Sequence, residues 1–80
     1  MRNHKDKTQY LMFVGKKIAM ARHMRSDQQE TVAKATGISQ PLLSKIENGS
    51  GNSLNILLII KLMVYLDIPW NDLCPPKYSV

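Results

Sequence analysis

The stretch QETVAKATGISQPLLSKIENG, residues 29–49, constrains the fold of this 80-residue chain more than any other. It predicts two short helices joined by a sharp turn. The first helix should cover residues 28–35, and the second should begin after Ser39 and stop at Gly49. Gly37 occupies the turn, where glycine adopts a positive φ without steric cost. The rest of the chain has to pack around this unit.

Both short helices have capping residues and one apolar side. Asp27 is expected to cap the first helix, with Glu30 as its capping-box partner, and Ser39 is expected to cap the second. The apolar side consists of Val32, Ala33, Ile38, Leu42, Leu43 and Ile46. The outward side of the second helix consists of Gln40, Pro41, Ser44, Lys45 and Asn48. A short helix with such an uncharged or basic polar face suits a DNA major groove.

Five motifs in the chain resemble those of a known family. They are Val-Gly-x-x-Ile-x-x-Ala-Arg at 14–22, Gln-Glu-x-Val-Ala at 29–33, Gly-Ile-Ser at 37–39, Ser-Lys-Ile-Glu-Asn-Gly at 44–49 and Leu-Asp-Ile at 66–68. In this order they are similar to the phage Cro/repressor-type (XRE-type) helix-turn-helix family. The likeness extends over about residues 11–73. Asp67 departs from the family pattern, because glycine is frequent at that place.

The resemblance implies an all-α fold, namely a compact five-helix repressor-type helix-turn-helix domain. It also implies a function: a sequence-specific, double-stranded DNA-binding transcriptional regulator, repressor-like, that reads the major groove with helix three. The alternative function is an antitoxin-type protein-interaction module that neutralises a partner protein, with DNA binding secondary. Binding to operator DNA at graded salt would distinguish these two functions.

The resemblance places the DNA-binding residues at the start of helix two and along helix three: Gln29, Ser39, Gln40, Pro41, Ser44, Lys45 and Asn48. Gln29 either faces a DNA phosphate or is an ordinary polar residue at a helix start. Gln40 can pair with adenine in a bidentate way, and Lys45, one turn later, can reach guanine or a phosphate. The family also implies a structural salt bridge between Arg22 and Glu47, which would lock helix one to helix three.

Composition limits the classes of function. The net charge of +5 favours a polyanionic partner, or else serves solubility alone. Cys74 is the only cysteine, which favours a reducing cytoplasm. The sequence has no Gly-rich phosphate loop, no metal-spaced ligands and no plausible Cys–His pair, so we expect no enzymatic activity, cofactor or metal. The apolar run at residues 56–66 contains Lys61 and is too short to span a bilayer.

Three segments are predicted along the chain. Residues 1–9 are polar and basic and predict a flexible arm, which either follows the DNA backbone or is a frayed terminus. Residues 10–74 form the DNA-binding domain, and residues 75–80 form a loose C-terminal tail. Helix one should run from residue 8 or 9 to residue 24. Gly15 in this helix would let another helix or the DNA backbone come close.

The fourth predicted helix, from residue 53 or 55 to 66, is apolar nearly all round. The core is expected to take Ile56, Ile59, Leu62, Met63 and Leu66. The helix carries more apolar residues than the core can take, and this excess predicts a homodimer. The predicted interface includes the short last helix at residues 70–73 and consists of Leu57, Leu58, Val64, Tyr65 and Trp70. Alternatively, these residues fill the core from a different helix phase. A two-fold dimer predicts a near-palindromic operator.

Overall fold

The computed structural model describes residues 4–50 and 56–73, with side chains from residue 10 onward. Within those ranges the chain forms only helices, so the all-α class is confirmed. The helices are α1 (His4–Met24), α2 (Gln29–Thr36), α3 (Gln40–Asn48), α4 (Ile56–Leu66) and a 3-10 helix (Trp70–Leu73). The fifth expected helix is therefore a single 3-10 turn. No helix in the described ranges is long and apolar enough to cross a bilayer.

The first helix begins at His4, so the predicted start at residue 8 or 9 is wrong. Lysine and glutamine, which occur in this segment, are good helix formers. Residues 4–9 of the predicted arm thus have helical backbone. Residues 1–3, the loop at 51–55, Cys74 and the tail at 75–80 lie outside the described residues.

The turn before α2 differs from the prediction. Gln28, and not Asp27, is the N-cap, and no side chain makes a capping hydrogen bond there. The Asp27 carboxylate instead accepts a hydrogen bond from Arg25 Nε at 3.3 Å. The Asp27 carbonyl oxygen accepts one from Arg22 Nη1 at 2.9 Å. Asp27 is therefore held by the end of α1, one residue too early to cap α2.

The caps of α3 agree with the prediction. Ser39 Oγ accepts a hydrogen bond from the backbone N–H of Leu42 at 3.2 Å. Pro41 lies in the first turn, where a missing N–H costs nothing. Gly37 and Gly49 follow α2 and α3 with φ of 75° and 69°, in the left-handed region that glycine tolerates. The turn and both ends of α3 are thus fixed locally by their own residue types.

The core lies where α1 packs against α3 and α4, and α2 packs against the same two helices. Its buried apolar residues are Val14, Ile18, Val32, Ala33, Ile38, Leu43, Ile46, Ile59, Leu62, Leu66, Ile68 and Leu73. The prediction that Ile56 belongs to this core is wrong, because 58% of it is exposed. The phase of α4 directs Ile59, Leu62 and Leu66 inward and leaves Ile56 at the side.

Gly15 brings α1 into backbone contact with the end of α3. A Cβ at this position would lie 2.8 Å from the carbonyl oxygen of Glu47 and closer still to that of Ile46. Real Cβ atoms do not approach backbone oxygens this closely, so only glycine fits. The sequence predicts that Gly15 lets either another helix or the DNA backbone come close, and in the structure the neighbour is the helix α3.

Candidate nucleic-acid interface

The outward side of α3 forms one polar strip. At about 100° per residue, positions 40, 41, 44, 45 and 48 fall within an arc of roughly 140°. Gln40, Pro41, Lys45 and Asn48 are exposed, and Ser44 is half-buried. Leu43 and Ile46 on the opposite side are buried in the core. The helix therefore shows solvent a strip of amides, a hydroxyl and one cation, which we call the α3 outward strip.

Ser39 stands at the start of the α3 outward strip and is exposed. Its oxygen is used as an acceptor by the Leu42 N–H. A hydroxyl also donates one hydrogen bond, so Ser39 can cap α3 and still donate to an anion. The cap and the predicted DNA contact are therefore compatible.

Lys45 supplies the positive charge of the α3 outward strip. It is exposed, and the hydrogen bonds and ion pairs of the described part give its ammonium no partner. Two other cations of the described part have partners: Lys34 Nζ lies 3.8 Å from Glu30 Oε2. The Arg25 guanidinium lies 5.1 Å from the ring centre of Tyr65 and also pairs with Asp27.

Gln29 opens α2 beside α3. Val32 N–H is the first amide of α2 to pair in the helix, with the Gln28 carbonyl at 3.2 Å. The amides of residues 29–31 consequently have no acceptor inside the helix and form a partial positive charge. The Gln29 side chain is half-buried and donates from Nε2 to Glu47 Oε1 at 3.0 Å. This contact ties the start of α2 to the last turn of α3.

Arg22 and Glu47 form a bidentate pair between α1 and α3. Arg22 Nε donates to Glu47 Oε2 at 2.7 Å, and Arg22 Nη2 donates to Glu47 Oε1 at 2.9 Å. Their side chains are only 10% and 5% exposed. The hydrogen bonds to Glu47 raise the pKa of Arg22; burial acts against them, and the charges of Glu47 and Asp27 add to the rise. The guanidinium therefore stays charged, and the pair joins α1 to α3.

A family model described as Helix-turn-helix matches residues 18–73. The match covers the end of α1, both helices of the predicted turn unit, α4 and the 3-10 helix. The chain belongs to this family, in its XRE-type form. At the family level it is a DNA-binding regulator. No match was found among curated proteins or among solved structures.

Within the described ranges, two residues other than glycine adopt positive φ. They are Ser26 and Asp67, with φ of 58° and 57°. Asp67 follows α4, and the next N–H, of Ile68, returns to the Met63 carbonyl at 2.9 Å. Helices often end in this way with glycine in the left-handed conformation. Asp67 therefore replaces the glycine that is frequent in the family at a position whose backbone favours glycine.

The predicted dimer residues divide into two groups. Leu57, Val64 and Trp70 are 60%, 77% and 52% exposed. Leu58 and Tyr65 are half-buried and pack against the core. The exposed apolar face of α4 also includes two residues not assigned to the interface from sequence, so its members are Ile56, Leu57, Ile60 and Val64. We call these four residues the α4 apolar face.

Sequence reasoning also missed the contact between Gln29 and Glu47. The two residues are 18 positions apart, and neither motif spacing nor helix period connects them.

For metals, the described residues contain no cluster of three or more His, Cys, Asp or Glu side chains.

Proposed function

We propose that this chain is a sequence-specific transcriptional regulator, repressor-like, that reads the major groove of double-stranded DNA with α3. The observation that carries the proposal is the α3 outward strip. It lies on a helix whose opposite side is buried and whose two ends are capped by Ser39 and Gly49. A rigid helix with exposed amide and ammonium groups is the element that direct readout requires.

The strip has a defined donor and acceptor chemistry. Gln40, at its start, offers an amide that pairs with adenine N6 and N7. Lys45 lies at the other edge of the strip, about 140° around the helix from Gln40, and donates to guanine acceptors or to a phosphate. Ser44 and Asn48 add a hydroxyl and an amide, and the exposed ring of Pro41 offers an apolar surface to a thymine methyl group. These residues define the readout positions and leave the operator sequence to be measured.

Phosphate contacts would fix α3 in its groove. The start of α2 supplies free N–H groups and the Gln29 amide, and Ser39 supplies a hydroxyl. The net charge of +5 supports attraction to DNA before specific contacts form.

The proposed active form is a homodimer acting in the cytoplasm without a cofactor. Exposed apolar area along one side of α4 supports an interface between two copies, with Trp70 close to it in sequence. Two-fold pairing would carry the two copies of α3 to successive major grooves, about 34–36 Å apart. The operator would then be near-palindromic.

The α4 apolar face also supports the antitoxin-type alternative, in which a different protein covers it and DNA binding is secondary. Selection of bound fragments from random double-stranded DNA tests the main proposal. A regulator enriches one motif and binds it far more tightly than a scrambled duplex at every salt concentration. Equal, salt-sensitive binding to both duplexes would contradict sequence-specific regulation and favour the alternative.

A further inference from the structure

The Glu47 carboxylate joins three helices. Its Oε1 accepts from Gln29 Nε2 at 3.0 Å and from Arg22 Nη2 at 2.9 Å. Its Oε2 accepts from Arg22 Nε at 2.7 Å. The side chain is 5% exposed, so these three bonds are made away from bulk water. Glu47 thus links the end of α1, the start of α2 and the last turn of α3.

Glu47 also determines which way the Gln29 amide points. A carboxylate only accepts hydrogen bonds, so the nitrogen end of the amide has to face it. Rotating the amide by half a turn would place Gln29 Oε1 against the carboxylate, and two acceptors repel each other. The amide nitrogen carries two hydrogens, and the bond to Glu47 uses one. The second N–H remains as a donor in a half-buried side chain at the start of α2.

Arg22 makes this arrangement compatible with a polyanion. An unpaired carboxylate next to the DNA backbone would repel it. The bidentate guanidinium balances that charge, so Glu47 can orient Gln29 without adding net negative charge.

We propose that Glu47 is a positioning residue for phosphate binding. It holds the Gln29 amide so that the second N–H, beside the free backbone amides of α2, donates to a phosphate of the DNA backbone. This inference rests on the proposed function. Its ligand is a phosphodiester, so the effect is the same for every base sequence and differs from readout by the α3 outward strip.

A double-mutant cycle on DNA affinity tests the proposal. The four proteins are the wild type, Gln29→Ala, Glu47→Gln and the double variant, each measured on the selected duplex and on a scrambled duplex. Removing a negative charge near DNA should by itself tighten binding. We expect the opposite: Glu47→Gln lowers the affinity for both duplexes by about 3–10-fold, which corresponds to the loss of one hydrogen bond. In the Gln29→Ala background the same change should leave affinity unchanged or slightly improved.

Thermal unfolding of the same four proteins separates positioning from folding. Glu47→Gln should lower the melting temperature in both backgrounds, because Arg22 loses its charged partner in each. Affinity should be lost only where Gln29 is present. Equal losses of affinity in both backgrounds would mean that Glu47 acts through the placement of α3, and the inference would be overturned. Tighter binding by Glu47→Gln in the presence of Gln29 would overturn it as well.

Gln29→Met provides a second test that leaves the Arg22–Glu47 pair intact. It keeps the length of the side chain and removes the amide donors. We expect a several-fold loss of affinity on both duplexes, and unchanged affinity would overturn the inference even if Glu47→Gln does not fold. A wild type that binds no DNA would instead overturn the proposed function, and this inference with it.

Discussion

Gly15 in α1 lies against the carbonyl oxygen of Ile46 in α3 with no room for a side chain between them. This contact involves backbone on both sides, so neither partner can move aside by changing a rotamer. It lies one residue from the Arg22–Glu47 pair on α3. The angle at which α1 supports the proposed recognition helix is therefore set by a missing side chain and by a buried ion pair.

The first prediction is that Gly15→Ala destabilises the protein. Helix propensity alone would stabilise it by about 1 kcal/mol. We expect a net loss of about 1–3 kcal/mol in the free energy of unfolding, because the new methyl group overlaps two carbonyl oxygens of α3. Urea denaturation measures this loss.

Gly37→Ala is the matched control for that substitution. Its Cβ would meet nothing within 4 Å, so only the positive φ of 75° opposes it, at about 1–2 kcal/mol. DNA affinity below the unfolding transition distinguishes the two variants. Gly15→Ala should weaken DNA binding because it displaces α3, and Gly37→Ala should weaken it less. A Gly15→Ala variant more stable than the wild type would contradict the close contact.

The second prediction concerns the ion pair. Arg22→Ala should lower the free energy of unfolding by about 3 kcal/mol, because it leaves the buried Glu47 carboxylate without its cation. Adding Glu47→Gln should restore part of the loss, since the uncompensated charge disappears. Chemical denaturation of the four proteins gives the coupling energy. Strictly additive losses would show that the two side chains do not interact.

Lys34→Ala serves as the control for a pair at the surface. Lys34 and Glu30 lie 3.8 Å apart with side chains 79% and 63% exposed. Solvent screens such a pair, so the change in unfolding free energy should stay within about 0.5 kcal/mol. A comparable loss in Lys34→Ala and Arg22→Ala would mean that burial does not set the strength of these pairs.

The third prediction is that Asp67→Gly stabilises the chain by about 0.5–1 kcal/mol. Glycine adopts the observed φ of 57° without strain. The substitution also removes a negative charge from the C-terminal end of α4, where the helix dipole disfavours it. Asp67→Asn removes the charge and keeps the side chain, so its melting temperature should lie between those of the wild type and Asp67→Gly. No gain in either variant would contradict both causes.

Much of the turn unit could be predicted because its signals are local. Gly37, Ser39 and Gly49 each determine the conformation of their own position, and all three lie where the sequence places them. The N-cap of α2 could not be predicted in the same way. Asp27 has the right chemistry, but its carbonyl is held by Arg22, so the cap moves to Gln28. A hydrogen bond from the preceding helix outweighed the capping preference of Asp27.

The phase of α4 could not be predicted because almost every position in that helix is apolar. Periodicity fixes a helix face only where polar residues mark the other side. The sequence therefore predicts Ile56 in the core and does not predict Ile60 at the surface, whereas both side chains are exposed. The bond between Gln29 and Glu47 was missed for a different reason: it depends on the packing of α2 against α3, which no sequence spacing encodes.

The fourth prediction concerns readout by α3. Gln40→Ala and Lys45→Ala should each weaken binding to the selected duplex by about 1–3 kcal/mol if the side chain contacts a base. Binding to a scrambled duplex should change much less for Gln40→Ala. Lys45→Ala should also reduce the slope of log affinity against log salt, because it removes a cation. If both variants keep full discrimination between the duplexes, α3 is not the recognition helix.

The fifth prediction is that the α4 apolar face joins two copies of the chain. Leu57, Ile60 and Val64 are spaced by three and four positions, so they lie on one side of the helix, opposite the buried Leu62. Val64 is 77% exposed in the single chain, so Val64→Lys should fold normally. We expect the wild type to sediment as a dimer at micromolar concentration and Val64→Lys to sediment as a monomer.

Met24→Lys is the matched control for the dimer, because Met24 is 84% exposed but lies on α1. It makes the same kind of change outside the α4 apolar face, so Met24→Lys should remain dimeric. Dimerisation also has a consequence for DNA. The wild type should bind a palindrome more tightly than a half-site, because the second contact becomes intramolecular. Val64→Lys should lose that advantage and retain the half-site affinity. A monomeric wild type that binds both duplexes equally well would contradict the dimer and leave the α4 apolar face to another protein.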